Sequence, residues 1–140
     1  MTKYVVDASV CLKWVIKEND FETARNILRR AHDGEFSLLA PELLVYEIVN
    51  ALSSGVLRGK FTKAQSLAII KEFLTVIPTT ITLVDKLPVC IENCLKYGIS
   101  GYDSAYVTLA KDNGLVLISS DLKLVTKIND HAVAVFLNDF

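Results

Sequence analysis

Apolar and polar positions fall into short blocks along this chain, and the blocks alternate in type. Lys3 to Val6 is a β-branched run with almost no polar position, the pattern of a strand covered on both faces. Val10 to Ile16 has the spacing of a short helix. A second helix is expected from Glu22 to Ala31, capped by Asp20 or Asn19 and closed by Asp33-Gly34. Phe36 to Leu39 reads as a strand. Pro41 suits a first helical position, and an apolar helix is expected from there to about Leu57, with Gly59 ending it. Thr62 and Gln65 have the spacing of a capping box for a helix to about Thr75. Ile77 to Leu83 alternates with threonines and predicts a strand. Pro88 opens a helix that Gly98 closes. Ser100 caps the next one, to about Asn113, with Gly114 just past its end. Leu115 to Ile118 is a second buried strand, Asp121 to Ile128 a short helix, and Ala132 to Phe136 a last strand.

Strands alternating with helices predict an α/β sandwich around a mainly parallel sheet. In such sheets ligands bind outside the carboxyl ends of the strands. The chain has 140 residues, with no internal repeat and no linker, so one domain over 1–140 is expected.

Composition changes this picture in two ways. Hydrophobic residues make up 51% of the chain and charged residues 22%, which predicts an apolar surface for an oligomer or a partner. Net charge is −1, so a polyanion would have to be met by a local patch rather than by bulk charge. The three cysteines, Cys11, Cys90 and Cys94, form no CxxC and read as small hydrophobes in a reducing compartment. A zinc site would need partners, and His32 and His131 lie far off in sequence. Asp7 interrupts the N-terminal apolar stretch, which argues against a signal peptide. Phe73 to Val84 is too short to span a bilayer and is broken by Pro78. A cytoplasmic protein without a membrane partner is expected.

Four acids carry the candidate chemistry. Asp7 ends the first strand, Asp121 follows the strand at Leu115, Asp103 opens an apolar helix, and Glu47 interrupts another. Each has an ordinary explanation. Asp7 and Asp121 can cap the helices that follow them, and Asp103 can complete a capping box with Ser100. Glu47 can mark the solvent side of its helix. However, it shares a narrow stripe with Asn50 and Ser54, flanked closely by Leu43, Leu44 and Ala51, which suits the wall of a cleft. Carboxylates on apolar elements are costly without partners. Four of them, without His or Cys, suggest an all-oxygen site for Mg²⁺ or Mn²⁺ and phosphate chemistry.

Four blocks, YVVDASVCLKW, PELLVYEIVNAL, SGYDSAYVTLAK and LVLISSDLKL, in this order, resemble the motifs of PIN domains, most of all the VapC-type toxins of toxin–antitoxin pairs. The resemblance spans essentially the whole chain. It implies a three-layer α/β/α sandwich with a central, mainly parallel β-sheet, and a metal-dependent ribonuclease. The family's acidic site maps onto Asp7, Glu47, Asp103 and Asp121, with Ser119 as the hydroxyl residue two before the last acid and Ser9 as the one after the first. Leu122, Lys123 and Leu124 stand where some members carry a fifth acid. The resemblance further implies an RNA substrate, Mg²⁺ or Mn²⁺ as cofactor, a small VapB-like antitoxin and a homodimer. Asp7, Asp121 and Asp103 are the expected metal ligands, with Glu47 binding through water or positioning the nucleophile. Ser119 would orient a ligand. Lys13, Arg58, Lys60 and Lys123 are candidates for a basic rim. A housekeeping RNA-processing endonuclease, a phosphoacceptor signalling domain and an inactive interaction module remain as alternatives. A nucleotide triphosphatase is disfavoured, since no GxxxxGK[ST] loop is present.

Overall fold

The computed structural model describes residues 1–140. Five parallel strands form one sheet in the order β3-β2-β1-β4-β5: β1 (Lys3–Val6), β2 (Ser37–Pro41), β3 (Thr79–Ile81), β4 (Val116–Ser119) and β5 (Ala134–Phe136). Seven helices surround it: α1 (Ala8–Val15), α2 (Phe21–His32), α3 (Leu43–Leu57), α4 (Lys63–Phe73), α5 (Leu87–Tyr97), α6 (Gly101–Asp112) and α7 (Leu122–Ile128). Helix α6 lies along β1, β2 and β4 and carries α5 on its back, while α1 gathers α2, α3 and α4. This is the expected α/β/α sandwich, with a sheet that is wholly parallel.

The central strands explain why the apolar runs are continuous. Val5, Val6, Leu117 and Ile118 are all fully buried, because helices cover both faces of the sheet. Tyr4, Phe36 and Phe140 meet edge to face, with ring centroids 4.8–5.7 Å apart, near the amino end of β1. Every buried side-chain nitrogen and oxygen has a hydrogen-bond partner.

Most element boundaries follow from capping chemistry. The Thr62–Gln65 capping box is formed in both directions, and Gly98 takes the left-handed conformation that closes α5. Three expectations need correction. Pro41 does not open α3; it ends β2, opposite Ile81, and the helix begins at Leu43. Proline tolerates this place because the next N–H, that of Glu42, makes the bond to Ile81 instead. The strand expected over Ile77 to Leu83 shrinks to Thr79–Ile81, since it is the sheet edge and the chain turns into a 3₁₀ segment, Val84–Lys86. Asp20 precedes α2 in a left-handed conformation and offers no side-chain cap.

The chain builds β1, β2 and β3 outward on one side, then returns to place β4 and β5 on the other. The direction reverses between β1 and β4. The crevice at their carboxyl ends is the place such sheets reserve for ligands.

Candidate active site

Val6 and Ile118 are paired neighbours in β1 and β4, so the residues that follow them, Asp7 and Ser119, emerge together at the reversal point. Asp7 is only 7% exposed. Its Oδ2 accepts from the Ser119 hydroxyl and its Oδ1 from the Ser9 hydroxyl, both at 2.5 Å. The Val10 N–H donates to Oδ1 at 3.3 Å. Each serine also accepts from the turn after β4: Ser119 from the Asp121 N–H at 3.0 Å, Ser9 from the Ser120 N–H at 2.9 Å. Two hydroxyls thus clasp one carboxylate and fix the turn that carries another. Burial nevertheless pushes the Asp7 carboxyl up from 3.8 to about 6, with Asp103 adding to the rise and the three donors opposing it.

Glu47 projects from α3 toward α6, where the Tyr106 hydroxyl donates to its Oε1 at 2.5 Å. Its carboxyl is raised by partial burial and by Asp103, against that hydrogen bond. Asp103, in the first turn of α6, is raised by partial burial and then by Asp121. Asp103 is therefore the electrostatic hub: it perturbs Asp7 and Glu47 and is itself perturbed by Asp121. Asp7 and Ser119 are in contact at the carboxyl end of the sheet, and the other three acids are linked to them pairwise by charge.

Capping and clustering coexist. Asp7 is the N-cap of α1, and Asp121 caps α7 by accepting from the Leu124 N–H at 3.2 Å. These bonds aim each acid and hold it there. Asp103 completes only half of a box: Ser100 accepts from its N–H at 3.1 Å, but the carboxylate makes no return bond to the cap backbone. Partial burial and the charge of Asp121 raise its pKa, and a hydrogen bond with the Ser100 side chain lowers it. Glu47 is no solvent marker either, since it lines a cavity with Asn50 and Ala51.

Two residues were missed from sequence. Tyr106 lies three positions after Asp103 and so shares its face of α6, a spacing that was legible. In the sequence it is indistinguishable from the helix's apolar run. Lys127 lowers the Asp103 carboxyl and bonds the Gly98 carbonyl at 3.0 Å. None of the four named cations, Lys13, Arg58, Lys60 and Lys123, contributes to the shifts of Asp7, Glu47 or Asp103. Lys13 instead bonds the Asn19 carbonyl at 2.7 Å, and Lys60 lies over the Phe61 ring. Cys11, beneath Asp7, is buried, and burial and Asp7 push its thiol well up, so it is an inert neutral group.

The donors suit a hard divalent cation: all are oxygens, and the charge of Asp103 adds to the raised pKa of Asp7 and Glu47, as that of Asp121 does for Asp103, a strain a cation would relieve. Each carboxylate oxygen has two acceptor sites, so a hydrogen bond at one leaves the other. No three His, Cys, Asp or Glu side chains yet close around a common point.

The PIN domain family matches residues 4–127. The chain belongs to the PIN-domain family. This PIN domain is similar to Ribonuclease VapC3 of Pyrobaculum aerophilum, 28% identical over 128 residues that cover 89% of this chain and 94% of that protein. It is thus related over nearly its whole length to a VapC ribonuclease. Its fold matches the crystal structure of PAE2754 from Pyrobaculum aerophilum with a TM-score of 0.70 at 24% identity, covering 99% of this chain and 92% of that one. VapBC2 from Rickettsia felis, solved bound to a DNA fragment from its promoter, shares the fold with a TM-score of 0.68 at 15% identity, over 96% of this PIN domain and 98% of that chain. No helix is long and apolar enough to cross a membrane.

Removing the Ser119 hydroxyl takes one donor from Asp7 and one acceptor from the Asp121 turn. Ser119→Ala is expected to reduce RNA cleavage roughly 10–100-fold, as loss of a group that orients ligands does. Tyr106→Phe should cost a similar factor through Glu47. Single-turnover assays beside circular dichroism check both.

Proposed function

We propose that this PIN domain is a Mg²⁺- or Mn²⁺-dependent endoribonuclease and the toxin of a VapBC-type toxin–antitoxin pair. The observation that carries the reading is the serine-clasped Asp7 at the reversal point of the sheet, electrostatically linked through Asp103 to Glu47 and Asp121. Asp7, Asp103 and Asp121, with Glu47 as a further donor, are the residues that would hold the metal. When bound, a divalent cation supplies an acidified water and neutralises charge developing on the phosphate. The charge of four carboxylates suffices for two such ions.

The chain's own groups do the rest. Ser9 and Ser119 fix both Asp7 oxygens, so the carboxylate does not reorient when substrate arrives. Tyr106 pins Glu47 at Oε1. Its hydroxyl is pushed up by burial and by Glu47, so it stays a donor throughout the working pH range. That leaves Oε2 to accept a proton from, or to orient, an attacking water, and the raised Glu47 pKa favours the base role. Lys127, whose charge acts on Asp103, and Lys123, one turn away on α7, would draw the RNA backbone toward an acidic centre.

A VapB-like antitoxin is the expected partner, by likeness to the VapC relative and the VapBC fold neighbour. The apolar surplus supports a homodimer: Leu87, Ile91 and Leu95 form an exposed stripe at helical spacing along α5. The catalytic reading is tested by incubating the purified protein with mixed RNA in Mg²⁺, Mn²⁺ or EDTA. Cleavage with either metal and none in EDTA is expected; undiminished cleavage in EDTA would sink it. Expression alone should slow growth, and co-expression of an adjacent small reading frame should restore it. Normal growth with soluble, active protein would mean a housekeeping enzyme instead.

A further inference from the structure

A cavity of about 570 Å³ adjoins the carboxylates, and the catalytic reading gives it no task. Ser9 and Glu47 line both the cavity and the acidic site. The other residues that give it character are Leu12, Tyr46, Asn50 and Tyr102. Its size falls within the range of small-ligand pockets.

Two of these residues are unusual for a free surface. Tyr46 is 71% exposed and Tyr102 67% exposed, although they border the same cavity from separate helices, α3 and α6. Each also stands one residue before a site acid, Tyr46 before Glu47 and Tyr102 before Asp103. One residue is about 100° around a helix, so each helix offers a carboxylate to the acidic site and a ring to its neighbour. No lysine or arginine lines the cavity, and Glu47 makes it negative. A phosphate is therefore the wrong occupant. A flat, neutral, aromatic group is the right one: two phenol rings and Leu12 supply stacking surface, and the Asn50 amide offers a donor and an acceptor to a polar edge.

We propose that this cavity is a nucleobase subsite, in which Tyr46 and Tyr102 stack an unpaired base of the RNA beside the phosphate that is cut. The proposal rests on the ribonuclease reading. It predicts a preference for single strands, because a base stacked on protein rings has left its own helix. Stacking tolerates any base, and Asn50 adds a preference among them.

The test uses single-stranded RNA with Mn²⁺ for cleavage and Ca²⁺ for binding without turnover. Tyr46→Leu and Tyr102→Leu keep apolar bulk but lose the aromatic face. Each should raise KM about tenfold, with a smaller change in kcat. Tyr46→Phe and Tyr102→Trp should restore it. A 2-aminopurine walked along the RNA should be quenched at one position next to the cut, and the Leu variants should lose that quenching. Removing the base at that position should raise KM for wild type and leave the doubly substituted Leu variant unchanged. An unaltered Mn²⁺-induced rise in Tm shows that the acidic site is intact in each variant. Leu variants that cut with wild-type KM and retain quenching overturn the subsite alone. The same result joined to loss of binding by a co-expressed antitoxin assigns the rings to a protein partner and also overturns it. A wild type that cuts no RNA in Mn²⁺ overturns the ribonuclease reading first.

Discussion

Asp7→Asn is expected to lower RNA cleavage by more than about 100-fold, beyond the factor that loss of an orienting neighbour produces, while the protein stays folded. Asn keeps the size and one acceptor but removes the charge that a cation would bind. It also cannot present two acceptor oxygens to Ser9 and Ser119, so one hydroxyl must turn and the Asp121 turn loses part of its support. Asp103→Asn and Asp121→Asn should be comparably severe. Glu47→Gln should also be severe, through loss of the raised carboxylate opposite Tyr106. Single-turnover rates with circular dichroism of each variant decide the matter. If Asp103→Asn turns over like wild type but melts early, that residue serves only the first turn of α6.

The second large effect is on stability, and its sign separates a metal site from a set of structural acids. The folded Asp7 carboxyl sits at about 6 against 3.8 when exposed. Between those values the folded protein holds a proton that the unfolded chain has lost. Stability therefore falls as pH rises through the window and levels off above it. Below the unfolded value both states are protonated and there is no penalty. A shift of that size corresponds to about 3 kcal/mol at neutral pH. In EDTA near pH 7.5, Asp7→Asn should melt at or above wild type, by up to several degrees. Asp121→Asn should be close to neutral, because Asp121 is solvent-exposed and Asn caps a helix about as well. Mg²⁺ should raise the wild-type Tm, by the equivalent of about 2.7 kcal/mol at a hundred times its Kd. The measurement is a set of melts from pH 4 to 8, with EDTA or Mg²⁺. Clear destabilisation of Asp7→Asn in EDTA, with no Mg²⁺ response in wild type, would mean that Asp7 holds the fold rather than a cation.

The residues that made the site legible are those whose roles are local. Asp7 and Asp121 could be placed at strand ends because β1 and β4 are continuous apolar runs, and a doubly covered parallel sheet demands such runs. The Glu47–Asn50 seam announced a cleft because it was too narrow to be a solvent face. Capping alone did not decide for Asp7 and Asp121, and it could not have, since those acids cap helices and also face the site. Long-range geometry was not legible. Tyr106 bonds Glu47 from another helix, and the charge of Lys127, on a third, acts on Asp103, relations that no spacing encodes. Pro41 was misread because proline at a strand's end and at a helix's start meet the same local demand, a fixed φ with no N–H to satisfy. Only the pairing with Ile81 distinguishes them.

The central claim is that Asp7, Asp103 and Asp121 would hold a divalent cation, and that water rather than the RNA's own 2′-hydroxyl attacks the phosphodiester. The chemistry of the new RNA ends tests this most directly. Attack by water leaves a free 3′-hydroxyl or 5′-hydroxyl opposite a simple phosphate, whereas attack by the RNA's own 2′-hydroxyl leaves a 2′,3′-cyclic phosphate. Wild-type protein with Mn²⁺ should yield simple phosphate ends, and none should form in EDTA or with Asp7→Asn. Cyclic phosphate ends, formed equally well in EDTA, would contradict the account.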